Sequence, residues 1–270
     1  MTGAERIASA FEAARGEGRA ALMPYLMGGF PEEATSAAVI AAYADAGADL
    51  IELGVPFSDP LADGPVIHAA ATKALSSGAT FASVIEIGKT VSDRVPVIPM
   101  VYANMVLACG AGTYAQRLAD AGMAGTIVPD LPPEEAGEVR RALSEHGLAL
   151  IPLIAPTTPP ERRAEICRDA TGFIYVVSDT RTTGERDEMP AELGGLVRAV
   201  QADASVPAAV GFGIGTPDQA AEVGTVADGV IVGSRLVREV GEAESGDGAA
   251  KAVGAFISAA REAMSRPAVR

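Results

Sequence analysis

The densest run of reactive groups in the sequence is Ile51-Glu-Leu-Gly-Val-Pro-Phe-Ser-Asp-Pro-Leu-Ala-Asp-Gly-Pro65. Glu52 falls inside an apolar, strand-like run, so its carboxyl is expected to be buried. A buried carboxylate is costly unless it is paired or used. Burial favours its protonated form, which suits a group that first donates and then accepts a proton. Asp59 and Asp63 follow in a loop stiffened by prolines and glycine. The structural alternative is that Glu52 pairs with an arginine while Asp59 and Asp63 cap turns. A second set of residues points to an anion. Gly211-Phe-Gly-Ile-Gly215 and Gly233-Ser234 form glycine turns in which backbone N–H groups can approach a phosphate closely. Plain tight turns are the alternative reading there.

Other chemistries lack their residues. The three lysines, Lys73, Lys89 and Lys251, all fall in predicted helices, so a Schiff-base mechanism has no amine at a strand end. His68 and His146 lie in or at the ends of predicted helices and form no ligand cluster, so no metal site is expected. There is no GxSxG elbow and no catalytic Cys/His context. General acid–base chemistry by carboxylates remains.

These groups must be held by the surrounding elements. Eight apolar runs read as buried parallel strands: Ala21–Met27, Asp49–Gly54, Val97–Val101, Gly125–Val128, Ala149–Ile154, Gly172–Val177, Ala208–Gly211 and Gly229–Val232. Helix-length, Ala-rich segments separate them. Thr158-Pro-Pro-Glu161 and Thr216-Pro-Asp-Gln219 read as capping boxes. Ala46-Gly47, Ala121-Gly122 and His146-Gly147 read as helix ends. Eight β-to-α units without a long linker predict one (β/α)8 barrel, a TIM barrel, over residues 1–270, with a loose tail from about Ser265. An open doubly wound sheet would want a GxGxxG turn after the first strand, and Met27-Gly-Gly-Phe30 does not supply one. In a barrel the active site lies at the C-terminal ends of the strands. That is where Glu52, the acidic loop and both glycine turns fall.

Composition narrows the function further. Hydrophobic residues make up 49% of the 270, enough for one large core or two small ones. A net charge of −14, spread without long acidic runs, argues against nucleic-acid binding. Cys109 and Cys167 sit in no CxxC or Cys/His spacing, and both are expected to be small buried apolar residues. The N-terminus has no apolar h-region, and no stretch approaches the ~18 uninterrupted apolar residues of a membrane span. A cytoplasmic setting is expected.

Over nearly its whole length the sequence resembles the α subunit of tryptophan synthase. The Glu52 to Pro65 segment is highly specific for that family. Pro24-Tyr-Leu-Met-Gly-Gly-Phe-Pro31, Val101-Tyr-Ala-Asn104, Pro129-Asp-Leu-Pro132, Pro152-Leu-Ile-Ala-Pro-Thr157, Phe173-Ile-Tyr-Val-Val-Ser178 and Gly211-Phe-Gly-Ile214 support it. The resemblance implies a lyase that cleaves indole-3-glycerol phosphate into indole and glyceraldehyde 3-phosphate. Glu52 would be the main acid–base, and Asp63 would accept the indole N–H. Tyr175, Thr183 and Phe212 would line the substrate site. Gly184, Gly213, Gly233 and Ser234 would hold the phosphate. The resemblance also implies a β-subunit partner in an α2β2 assembly, with Asp59, Asn104 and Pro132 on the loops that face it. Pyridoxal phosphate would belong to that partner, and this chain would need no cofactor of its own.

One segment departs from the family pattern. The family has Ser-Arg-x-Gly-Val-Thr-Gly after the sixth strand, and here the run is Ser178-Asp-Thr-Arg-Thr-Thr-Gly184. Asp179 stands where an arginine is usual, and Arg181 stands where a glycine is. This change motivates a second reading, a stand-alone indole-3-glycerol-phosphate lyase that releases free indole. A non-catalytic partner subunit is a third.

Overall fold

The computed structural model describes residues 1–177, 192–211 and 213–265. Nine parallel strands follow one another: β1 (Ala21–Met27), β2 (Ile51–Gly54), β3 (Val97–Met100), β4 (Gly125–Ile127), β5 (Ala149–Ile151), β6 (Leu153–Ile154), β7 (Ile174–Val177), β8 (Ala208–Gly211) and β9 (Gly229–Val232). The ladder runs β5-β4-β3-β2-β1-β9-β8-β7-β6. Its two ends, β5 and β6, are halves of one extended run interrupted at Pro152. The ends of the ladder therefore meet, and the sheet curls into the expected barrel. Proline has no N–H to give to a ladder. Its carbonyl still accepts from the Tyr175 N–H at 2.9 Å, which carries the pairing across the interruption.

Strand boundaries shift for local reasons. The second strand starts at Ile51 rather than Asp49, because the Asp49 carboxylate turns back to accept from the Leu22 N–H at 2.7 Å and to pair with Arg19. The strand expected from Gly172 starts at Ile174, because Gly172 has φ +75°. Helix signals behave unevenly. The Thr216–Gln219 capping box forms as expected. The Thr158 box does not: the helix Pro160–Arg168 begins one residue later, with Pro159 at its N-cap. The Thr158 hydroxyl accepts instead from the Ala155 N–H at 3.1 Å. Two consecutive prolines put the ring of Pro160 at the first helical position and leave Thr158 outside the helix. Gly47, Gly122 and Gly147 take φ of +89°, +69° and +69°, the left-handed ends expected of them.

The helices cover the outside of the barrel, and one closes its base. This helix, α1 (Gly3–Gly16), has a Thr2–Glu5 capping box that the sequence reading passed over. It buries Ile7, Phe11 and Ala14. They join Met23, Leu50, Ile98, Ile127, Ile151, Phe173 and Ile231 in one interior cluster. Phe11 and Phe173 meet at 5.7 Å between ring centroids. The barrel interior is thus a plugged core that can open only at the C-terminal ends of the strands. Cys167 is buried as expected, but Cys109 is half-buried, because it ends the short helix Ala103–Cys109 at the surface. Among the described residues no helix is long and apolar enough to cross a membrane.

Candidate active site

Side chains alternate along a strand, so residues 21, 23 and 25 of β1 share one face. Ala21 and Met23 belong to the interior cluster, which places Tyr25 on the inner face above them. The same alternation from Leu50 places Glu52 and Gly54 inward, and from Phe173 it places Tyr175 inward. Tyr25 is the register partner of Glu52 on the neighbouring strand. This upper layer contrasts with the apolar layer beneath. It carries a carboxyl, two phenols and inward glycines at 54, 211 and 233.

Those glycines make room for the phenols. A Cβ on Gly54 would stand 2.0 Å from the Tyr25 hydroxyl oxygen, and one on Gly211 would stand 2.5 Å from that of Tyr175. No side chain larger than hydrogen fits at either position while the rings keep their places.

Glu52 is only 1% exposed. Among the described residues its Oε2 has no hydrogen-bond partner and no arginine pairs with it. Burial raises its pKa to about 8, and the nearby Asp63 carboxylate pushes the same way. At neutral pH the group is therefore mostly protonated, yet close enough to its pKa to exchange protons in both directions.

Asp63 comes from the loop after β2. Its Oδ1 accepts from the Tyr102 hydroxyl at 3.1 Å. The same hydroxyl accepts from the Ala62 N–H at 3.1 Å. The Tyr102 ring stacks on Phe57 at 5.3 Å, so both ends of the acidic loop rest on one aromatic side chain. Burial raises the Asp63 pKa, while the Tyr102 bond and the charge of His68 oppose that rise. The sequence reading missed Tyr25 and Tyr102 as site residues. The signal for Tyr25 was available, since it shares a face and a register with Glu52. No local pattern announces the Tyr102–Asp63 bond, which spans 39 residues.

The other expected positions sort by element. Gly213 follows β8, and Gly233 caps the helix Ser234–Glu242 directly after β9. These neighbouring strand ends face the same mouth as Glu52. Asp59, Asn104 and Pro132 lie exposed after β2, β3 and β4, in three adjacent connections of that end, with Asn104 in the helix Ala103–Cys109. Thr183, Gly184 and Phe212 lie outside the described residues, as do Asp179 and Arg181. Among the described residues no group of three His, Cys, Asp or Glu side chains could hold a metal ion. Lys73, Lys89 and Lys251 are all in helices, as expected. A cavity of about 530 Å³ opens on the outer wall between Pro132 and Arg162, and neither Glu52 nor Asp63 lines it.

A buried, unpaired acid beside a second carboxylate, at the open end of a plugged parallel barrel, is what the sequence led us to expect of one family. The family model for the tryptophan synthase alpha chain matches residues 11–265. The chain belongs to that family. The tryptophan synthase alpha chain of Synechococcus sp. (strain CC9902) is 46% identical over 260 residues, which is 95% of this chain and 96% of that one. The one from Geobacter sulfurreducens is 41% identical, over 96% and 98%. Among solved structures, tryptophan synthase from Mycobacterium tuberculosis superposes with a TM-score of 0.90 at 36% identity, covering 97% of this chain and 99% of that one. The tryptophan synthase alpha chain of Legionella pneumophila gives 0.88 at 36%, covering both chains in full. The tryptophan synthase alpha chain is a lyase of tryptophan biosynthesis, and this chain belongs to that class.

Proposed function

We propose that the chain cleaves indole-3-glycerol phosphate to indole and glyceraldehyde 3-phosphate. The observation that carries this reading is the Glu52 carboxyl: buried, unpartnered at Oε2, and held protonated near neutral pH. In this reading Glu52 donates its proton to C3 of the indole ring, leaving positive charge on the ring system. Asp63 accepts the indole N–H and stabilises that charge as it develops. The Glu52 carboxylate then removes the proton of the glycerol hydroxyl. The oxygen electrons form the aldehyde C=O, and the C–C bond electrons return to the ring to give neutral indole.

Tyr175, Thr183 and Phe212 would line the indole site. The phosphate would be held by backbone N–H groups at Gly184, Gly213, Gly233 and Ser234. The helix that starts at Ser234 offers its positive N-terminal end to an anion there. The partner would be a β subunit carrying its own pyridoxal phosphate, docked over Asp59, Asn104 and Pro132. Leu61, in the loop after β2, and Leu107, in the helix Ala103–Cys109 after β3, are 86% and 62% exposed and fit a surface that a partner covers. The chain would need no cofactor and would work in the cytoplasm.

The test is indole release from indole-3-glycerol phosphate by the purified chain, alone and with a β subunit. Weak release alone and strong release with the partner is the expected result. No release in either condition would remove the substrate assignment. Strong release that the partner does not change would favour a stand-alone lyase.

A further inference from the structure

Tyr25 is a second polar group in the upper layer that the reaction scheme leaves unused. It is 6% exposed, and its backbone carbonyl is fixed by the Tyr43 hydroxyl at 3.0 Å. Its own hydroxyl reaches across to the Cα of Gly54, two residues beyond Glu52. Among the described residues that hydroxyl makes one contact, a 4.0 Å approach to Met27 Sδ, a weak acceptor. A buried hydroxyl without a good partner is unfavourable unless something else satisfies it. The neighbouring Glu52 Oε2 is in the same position. One oxygen atom that both donates and accepts would satisfy the two together.

We infer that the Tyr25 hydroxyl is a catalytic donor: it hydrogen-bonds to the substrate hydroxyl whose proton Glu52 removes. This rests on the indole-3-glycerol-phosphate reading. The glycerol hydroxyl donates to Glu52 and accepts from Tyr25. As its proton leaves for Glu52, negative charge grows on that oxygen until the C=O forms, and the Tyr25 O–H stabilises it at that moment. Tyr25 keeps its proton throughout. Burial holds its pKa well above the ordinary tyrosine value, and the carboxylates of Asp63 and Glu52 lie close enough to repel a phenolate there. The inference also gives Gly54 a role, since a side chain there would displace the hydroxyl.

Tyr25→Phe removes one oxygen and keeps the ring, so two measurements on this variant decide the matter. The first is kcat for indole release. The second is the affinity for indole-3-propyl phosphate, which carries the ring and the phosphate but neither glycerol hydroxyl. Loss of a donor aimed at developing charge is expected to lower kcat by about 100- to 1000-fold. Affinity for the hydroxyl-free analogue should stay within about two-fold, because that ligand gives Tyr25 nothing to bind. An unchanged kcat would overturn the inference. So would a parallel loss of analogue affinity, which would mark Tyr25 as a packing residue. If the unmodified chain fails to cleave indole-3-glycerol phosphate while binding the analogue, the substrate reading fails instead. The two failures are therefore distinguishable.

Discussion

The hydroxyl of Tyr102, just beyond β3, donates to Oδ1 of Asp63 at 3.1 Å and so fixes a carboxylate that comes from the loop after β2. The bond favours the ionised carboxyl and works against the burial that raises its pKa. In Tyr102→Phe the Asp63 pKa should rise further. The acidic limb of the pH–rate profile should then move to higher pH. A hydrogen bond to a charged group contributes about 1.5–3 kcal/mol, so kcat on the acidic limb should fall by roughly ten-fold or more. Indole release measured across the pH range checks this, and an acidic limb that stays in place would sink it.

In the proposed reaction Glu52 sets the opposite limb: it must be protonated to begin, so activity should fall as pH rises through about 8. Glu52→Gln should abolish turnover while phosphate-dependent binding persists. The same variant should be more stable than the parent in alkaline solution. The folded-state pKa of Glu52 is raised, so between about 4.5 and 8 the native state holds a proton that the unfolded state has lost. Stability therefore falls with rising pH across that window and levels off above it. A shift of this size corresponds to roughly 5 kcal/mol at most. Urea unfolding of both proteins at about pH 5 and pH 9 reads the difference directly. Equal pH dependence in the two would refute it.

Gly211→Ala should distort the site without touching either carboxylate. The new Cβ would meet the Tyr175 hydroxyl at 2.5 Å and its ring carbon at 2.6 Å, so the phenol must move. Overpacking of this kind costs about 1–3 kcal/mol. Loss of indole release together with a lowered urea midpoint is expected. A variant with normal kcat would show that Tyr175 is free to move aside.

Arg19 tests the other end of the barrel. Its guanidinium is 1% exposed and pairs with both oxygens of Asp49, at 2.5 and 2.8 Å. Arg261 of the C-terminal helix joins the same cluster, through Glu17 at 2.7 Å. Arg19→Leu leaves the Asp49 carboxylate, 9% exposed, without its main partner. Breaking such a pair costs about 3–5 kcal/mol. Stability should fall by that amount, while kcat per folded molecule stays unchanged, because the cluster sits at the plugged end. A changed kcat would contradict that separation.

Leu107→Ser replaces an exposed apolar side chain on the expected partner face. The activity of the chain alone should be unaffected, and the β-subunit concentration needed for half-maximal stimulation should rise by about ten-fold, the effect of losing one good apolar contact. Titration with the β subunit measures it, and an unchanged curve would move the interface away from the helix that carries Leu107.

The sequence by itself determined a large part of this protein. Eight apolar runs separated by helix-length segments point to a parallel sheet covered on both faces, because such strands read as continuous apolar stretches, and the missing GxGxxG turn favours a barrel over an open sheet. A glutamate inside one of those runs is legible as a perturbed acid, since its burial follows from its neighbours. Glycine ends at 47, 122 and 147 were legible too, because the left-handed conformation is a local property. Relationships between residues distant in the chain were not legible. Tyr102 reaches Asp63, Tyr25 reaches over Gly54, and α1 plugs the base, only because closing the sheet brings their strands and loops together. The Thr158 box failed for a related reason. A hydroxyl takes the best donor within reach, and tertiary geometry supplied the Ala155 N–H. Which groups are candidates for the proposed chemistry was written in residue type and burial. Which partners hold them was decided by the fold, since hydrogen bonds and close packing depend on distances that only the closed barrel sets.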